Sequence, residues 1–161
     1  MIYEASDNDI SVIRNIAKIT WPQTYGKILS SEQIDYMLEL IYSQKSLERQ
    51  FKDGHRFYIL KEFDEAVGFI DIQKVSGNIS KLHKIYLLPK VQGLGYGQML
   101  INYAFDKALE NGTPILQLNA NRYNTALNFY KKNGFKIIDE TDIAIGNNYF
   151  MNDYVMEKII E

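Results

Sequence analysis

One stretch constrains this chain more than any other: Leu88-Pro89-Lys90-Val91-Gln92-Gly93-Leu94-Gly95-Tyr96-Gly97-Gln98. Before it, Leu82-His83-Lys84-Ile85-Tyr86-Leu87-Leu88 reads as a strand. After it, Leu100, Ile101, Ala104, Phe105 and Ala108 recur at helical spacing over about Gly95–Glu110, and Asn111-Gly112 stops the helix. Glycines at such a junction let backbone pass close to a ligand. The first amides of the helix lack internal partners and, with the helix dipole, favour a phosphate. A glycine-rich turn without a ligand is the plainer alternative. Spacing excludes two phosphate loops. The dinucleotide pattern G-x-G-x-x-G fails, because its third glycine falls on Gln98 or Leu100, and no G-x-x-x-x-G-K-[ST] run exists.

The remaining runs set the frame around this turn. A strand opens at Ile2–Ala5. Asp7 then caps a helix carrying Ile10, Ile13, Ile16 and Ala17, which Pro22 ends. Ser30 with Gln33 has the form of a capping box for a second helix to about Leu40, and Ser43 begins a third that ends near Gly54. Phe57–Leu60 and Val67–Ile72 are strands joined around Asp64, and Ser76-Gly77-Asn78 turns into the strand that precedes the glycines. Ile115–Leu118 is a further strand, followed by a short helix closing at Gly134. Phe135–Ile145 and Tyr149–Ile160 flank a Gly146-Asn147-Asn148 hairpin turn. Helix-linked strands must run parallel and hairpins antiparallel, so the expectation is an α/β fold. It has a mixed sheet of about seven strands with four to five helices, in a single domain over residues 1–161.

Composition narrows the function. Lys+Arg number 18 against 20 Asp+Glu, which fits neither a nucleic-acid footprint nor an acidic tail. No apolar run is long enough for a membrane helix, and Met1–Ala5 lacks the basic and apolar features of a signal peptide, so the cytoplasm is the expected compartment. The chain has no cysteine, which removes disulfides, thiolate metal sites and a cysteine nucleophile together. His55 and His83 lie outside any HExxH spacing, so no metal is expected.

Two motifs carry a resemblance. Gln92-x-x-Gly95-x-Gly97 resembles the pyrophosphate-binding loop of the GCN5-related N-acetyltransferase (GNAT) superfamily, where backbone amides hold the diphosphate of acetyl-coenzyme A (acetyl-CoA). Ala126-Leu127-Asn128-Phe129-Tyr130-Lys131-Lys132-Asn133-Gly134-Phe135 resembles its next motif, in which an alanine is followed by (aromatic or Leu)-Tyr-x-x-x-Gly-Phe. The motifs come in order with a strand between them, and the order of elements agrees over nearly the whole chain. The resemblance implies a fourth strand that splays from the fifth, with the pantetheine arm between them. Backbone near Leu87 and Leu88 would hold that arm and the acetyl carbonyl, and amides of Gln92, Gly93, Leu94, Gly95, Tyr96, Gly97 and Gln98 the diphosphate. Asn124 either contacts the cofactor or only caps the short helix, since Tyr123 occupies the usual asparagine position.

The implied reaction is attack of an amine on a thioester. An alkyl amine of pKa about 10.4 is neutral in only about one molecule in two thousand at pH 7, so a proton must be accepted. The oxyanion also needs stabilisation and the leaving thiolate needs a proton. By resemblance Tyr130 is that proton donor; packing in the core is its alternative. Several members carry a carboxylate where this chain has Lys81. His83, two residues on and on the same strand face, is the candidate base or water-positioner, against an ordinary packed histidine. Without cysteine, transfer is direct.

Thr20–Tyr25 and Ile145–Lys158 resemble a bacterial subgroup that includes polyamine acetyltransferases of the PaiA type. Trp21, Tyr25, Asp153 and Tyr154 are the candidate acceptor contacts, because aromatic rings beside a carboxylate suit a flexible cation. Asn152 stands where the subgroup carries a further acid. The implied activity is acetyl-CoA-dependent transfer to the primary amine of a small molecule, polyamines included. The alternatives are a protein N-terminal or lysine acetyltransferase and a non-catalytic acyl-CoA-binding module. Homodimers are frequent in the superfamily.

Overall fold

Phe57, Tyr58, Ile59 and Leu60 are consecutive and all buried, which places their strand inside a sheet covered on both faces. The computed structural model describes all residues, Met1–Glu161. The strands are β1 (Ile2–Glu4), β2 (Arg56–Glu62), β3 (Glu65–Lys74), β4 (Ile79–Leu87), β5 (Ile115–Asn121), β6 (Lys136–Gly146) and β7 (Tyr149–Ile159). The helices are α1 (Ile10–Tyr25), α2 (Ser31–Tyr42), α3 (Gln44–Lys52), α4 (Tyr96–Glu110) and α5 (Leu127–Lys132). The strands form one sheet in the order β1-β2-β3-β4-β5-β7-β6. Every neighbouring pair is antiparallel except β4 and β5, which α4 connects in parallel.

Two helix ends differ from the sequence expectation. The first cap is Ser6, not Asp7. Asp9 accepts from the Ser6 amide at 2.9 Å while Ser6 Oγ accepts from the Asn8 amide, a reciprocal cap that starts a short 3-10 turn before α1. Pro22 does not end α1, which runs on to Tyr25. A proline in the last turn forfeits one hydrogen bond but keeps a helical φ. The turn is anchored by buried Trp21 and by the Gly26 amide on the Pro22 carbonyl at 2.9 Å.

The feature that positions a site is the end of the parallel ladder. β4 and β5 pair only from Ile79↔Ile115 to Leu82↔Leu118, yet β4 continues to Leu87 and β5 to Asn121. Beyond Leu82 the two strands part. At the same place the β3–β4 register slips: Asp71 pairs with Lys84 and Ile72 with Leu82, so His83 is the extra residue of a β-bulge. β3 keeps hold of the departing strand because Gly68, opposite Leu87, has no side chain. A Cβ there would lie 2.6 Å from Leu87 Cδ2 and 2.8 Å from the Tyr86 carbonyl oxygen. Gly68→Ala should therefore destabilise the protein by about 1–3 kcal/mol, as overpacking does. Urea unfolding checks it: a lowered midpoint is expected, and an unchanged one would mean that the end of β4 is not held by this contact.

Candidate active site

Where β4 and β5 part, a groove of about 1060 Å³ opens. Its walls are Ile85, Tyr86 and Leu87 of β4, Leu118 to Ala120 of β5, and Phe129 and Tyr130 of α5. Its floor at one end is the glycine turn, through Gln92, Gly93, Gly95, Gly97 and Gln98. Gly93 and Gly95 hold φ of +78° and +89°, and a Cβ on either would meet nothing within 4 Å, so glycine serves the backbone conformation there and not a lack of space. The first bond inside α4 runs from the Met99 amide to the Gly95 carbonyl at 3.2 Å. The amides of Tyr96, Gly97 and Gln98 thus leave the helix end without a carbonyl to meet. No carboxylate lines the groove, and Lys27 does. An open helix end, two left-handed glycines and a lining free of negative charge fit the diphosphate of a coenzyme A thioester.

The residues expected at this groove divide. Gln92 straps the turn to its surroundings, with Nε2 donating to the Leu87 carbonyl at 3.1 Å and to Gln23 Oε1 at 3.4 Å. Gln98 ties α4 to α5 through Asn133 Oδ1 at 2.7 Å. Leu94 and Tyr96 turn their side chains away from the groove, and Leu88 is buried in the core with its amide on the Val67 carbonyl at 2.8 Å. Only the backbone of these three could face a ligand. Asn124 lines the groove, but its Oδ1 accepts from the Ala126 amide at 2.8 Å, so its oxygen already serves the turn into α5. Tyr130 is buried at the groove wall, and burial with Tyr25 nearby raises its pKa, so its hydroxyl keeps its proton.

A second cavity, of about 330 Å³, lies on the face covered by α1, α2 and α3. The β6–β7 hairpin closes over it. Tyr36 donates to the Ile145 carbonyl at 2.7 Å and Gln33 Nε2 to the Phe150 carbonyl at 3.1 Å. Trp21, Tyr25 and Asp153 all line this cavity. Tyr154 lines neither cavity. It is the strand neighbour of Asp153, so alternation turns it to the opposite face, where it packs on the core. Asp153 is 4% exposed and has no basic group within ion-pairing distance, and its carboxyl is pushed up by burial against the pull of Asn119, Lys81 and Arg122.

The two cavities share Tyr25, His83, Lys84, Tyr86 and Asn119, and they meet there. Tyr25 and Tyr86 join hydroxyl to hydroxyl at 2.9 Å, and burial pushes Tyr25 up to about 12 and Tyr86 also upward. His83 Nε2 lies 2.9 Å from Gln73 Oε1, while Gln73 Nε2 donates to the Asp53 carbonyl at 2.8 Å. That second bond sets the amide's orientation, so His83 Nε2 carries the hydrogen and Nδ1 keeps the lone pair. Burial, with His55, Lys84 and Lys81 nearby, brings His83 down to about 3 despite Asp71. The expectation that this imidazole titrates in the useful range is therefore corrected: the ring stays neutral at working pH.

A buried polar cluster that neither motif contains lies beside this junction. Asp71 is fully buried, and its Oδ2 accepts from Lys84 Nζ at 2.6 Å and from His55 Nδ1 at 2.7 Å. Lys84 Nζ also donates to Gln50 Oε1 at 2.6 Å. Burial alone would raise the Asp71 carboxyl; Lys84, His55 and His83 hold it below its usual range. The signal was present as a lone carboxylate inside the apolar run Val67–Ile72, because a charge so placed requires a partner.

A ring held neutral in the folded state and near 6.5 in the unfolded chain contributes stability that is complete above pH 6.5. That stability falls by about 1.4 kcal/mol per pH unit as pH drops towards 3. Denaturant midpoints between pH 6.5 and 4 should fall less steeply in His83→Gln than in the parent. Equal slopes would contradict a neutral, buried ring.

Comparison with known proteins follows the same geometry. Residues 53–137, just over half of the chain, match the model of the acetyltransferase (GNAT) domain. A spermidine N(1)-acetyltransferase of Thermoplasma acidophilum is 28% identical over 166 residues, covering 99% of this chain and 97% of that protein. The crystal structure of PaiA N-acetyltransferase from Thermoplasma acidophilum in complex with coenzyme A superposes with a TM-score of 0.84 at 25% identity, covering 99% and 98% of the two chains. The ribosomal-protein-S18-alanine N-acetyltransferase of Escherichia coli shares the fold, with a TM-score of 0.75 at 17% identity over 100% of this chain and 94% of that one. A parallel strand pair that parts above a glycine-bounded helix end, and the matched domain spanning both, place this chain in the GNAT family of acetyltransferases.

Proposed function

We propose that this protein transfers the acetyl group of acetyl-CoA directly to the primary amine of a small molecule. The observation that carries the reading is the meeting of the two cavities. One runs to the open end of α4, the other to Asp153, and they join at Tyr25, His83, Lys84, Tyr86 and Asn119. Acetyl-CoA, when bound, supplies the thioester carbon that the amine attacks. Amides from Gly93 to Gln98 hold its diphosphate, and the unpaired edge of β4 from Ile85 to Leu87 holds the pantetheine arm. Tyr130 donates its proton to the leaving sulfur, a role that suits a hydroxyl kept protonated by burial. His83 Nδ1, with its lone pair free, positions the amine or the water that takes its proton onward, because the ring does not keep that proton itself. Asp153 receives the ammonium form, and the rings of Trp21 and Tyr25, 4.6 Å apart, pack beside it.

The closed hairpin favours a small acceptor over a protein chain, and the relative named for spermidine supports the same class. No helix is long and apolar enough to cross a membrane. A cytoplasmic location and a homodimer belong to this reading by resemblance to the family.

Thiol release from acetyl-CoA with a panel of amines tests it, and turnover on peptides alone would end it. Tyr130→Phe should lower kcat by about 10²–10⁴-fold, the range for general acid–base groups, with the acetyl-CoA Kd unchanged. Unchanged turnover would remove Tyr130 from the reaction. Asp153→Asn should lower kcat/KM for amines by about 10–100-fold, mostly through KM, as loss of a charged hydrogen bond does. A loss confined to kcat would count against ammonium binding at Asp153.

A further inference from the structure

Tyr25 of α1, Tyr86 of β4 and Tyr130 of α5 all stand on the wall of the groove, and the first two also line the second cavity. The Tyr25 and Tyr86 hydroxyls bond each other at 2.9 Å, and neither bonds any other group of the protein. The Tyr130 hydroxyl bonds none. A hydroxyl pair holds two hydrogens and spends one between its oxygens, so one O–H and the outer lone pairs remain for a third group. Packing fixes both rings of the pair. The Trp21 ring centroid lies 4.6 Å from that of Tyr25 and 6.0 Å from that of Tyr86, and Phe69 lies 5.9 Å from Tyr86. Burial raises all three hydroxyls. Beyond burial, Tyr25 raises Tyr130 and Tyr130 raises Tyr86, so the three oxygens lie within reach of one another's charge.

We infer that Tyr25 and Tyr86 form a hydroxyl relay, which carries the proton shed by the amine to Tyr130 as Tyr130 gives its own to the leaving sulfur. This rests on the small-amine reading above and deepens it, by naming where the proton goes once His83 has positioned the nitrogen. The nitrogen–carbon bond forms and the carbon–sulfur bond breaks. The nitrogen is left with one proton too many, and the sulfur, which departs with the bonding electron pair, with one too few. The tyrosine pair takes the first proton and passes a hydrogen to Tyr130, directly or through one water, while Tyr130 supplies the sulfur. Each of the three oxygens ends with the single hydrogen it began with. No tyrosinate is stranded in a buried site, where its charge would be costly. Hydroxyls too weakly acidic to rest as tyrosinates suit such a chain, which polarises along its length so that the proton passes through without stopping.

Single-turnover acetyl transfer to a saturating primary amine, measured on the full-length protein, tests the relay in a double-variant cycle. Tyr86→Phe should slow transfer by about 10²-fold in the parent, the lower end of the range for a general acid–base group. In Tyr130→Phe it should cost less than about threefold, because a chain already cut loses little at a second cut. Tyr25→Phe, which cuts the same chain from α1, should behave alike. A hydroxyl that only braces the packing would slow both backgrounds equally, and losses that multiply in this way would overturn the inference. A parent loss below about threefold would do the same. The solvent deuterium effect is a second readout. Rate against deuterium fraction should curve in the parent, where several protons move together, and become straight in Tyr86→Phe; identical curvature in the two would contradict the relay. If amines are acetylated and the losses multiply, the relay falls and the small-amine reading stands; if no amine is acetylated, both fall.

Discussion

Everything at this site depends on a parallel ladder that stops early. Sheet formation normally pairs each strand along its whole length, because unpaired amides and carbonyls are costly when buried. Here β4 and β5 pair over only four residue pairs, Ile79↔Ile115 to Leu82↔Leu118, and then separate. The groups left free on the β4 edge are available to a ligand, and the space between the strands becomes the groove. Three local devices keep the separation in place: the bulge at His83, the missing side chain at Gly68, and the turn that leads β4 into α4. Each is small, and together they define where the chemistry can occur.

The bulge in turn depends on the charge cluster beneath it. Asp71 of β3 draws Lys84 of β4 and His55, just before β2, onto one oxygen, and Lys84 reaches on to Gln50 of α3. Breaking a buried pair of this kind by removing one partner typically costs about 3–5 kcal/mol, because the other charge is stranded. The cluster therefore fixes the register at which β4 departs, and its Lys84, His55 and Gln50 also line the second cavity. At its edge the His83 ring lies tilted against that of His55, with centroids 4.3 Å apart.

How much of this could be read from the chain depended on whether the information was local. The glycine turn and the Ala126–Phe135 motif are contiguous, and their residues sit beside one another in the groove wall, so spacing alone marked them. The hairpin around Gly146-Asn147-Asn148 was legible for the same reason, with both asparagines at positive φ. What escaped was non-local. Strand alternation could have separated Asp153 from Tyr154, but choosing the face required knowing what covers each side of β7. The bulge at His83 exists only through pairing with β3, and without it the common facing of His83, Lys84 and Tyr86 cannot be deduced. Tyr86 and Tyr25 are distant in sequence and meet only because α1 crosses β4. Pro22 misled because a proline in the last helical turn looks the same in sequence as one that terminates the helix.

The central claim is that donor and acceptor occupy two cavities that meet, so the acetyl group passes between them without stopping on the protein. Initial velocities measured over a grid of acetyl-CoA and amine concentrations test this most directly. Reciprocal plots that intersect are the predicted result, since both substrates must be present together before thiol is released. Parallel lines, with thiol released by acetyl-CoA alone in an amount matching the enzyme, would mean an acetylated protein intermediate and would contradict the account.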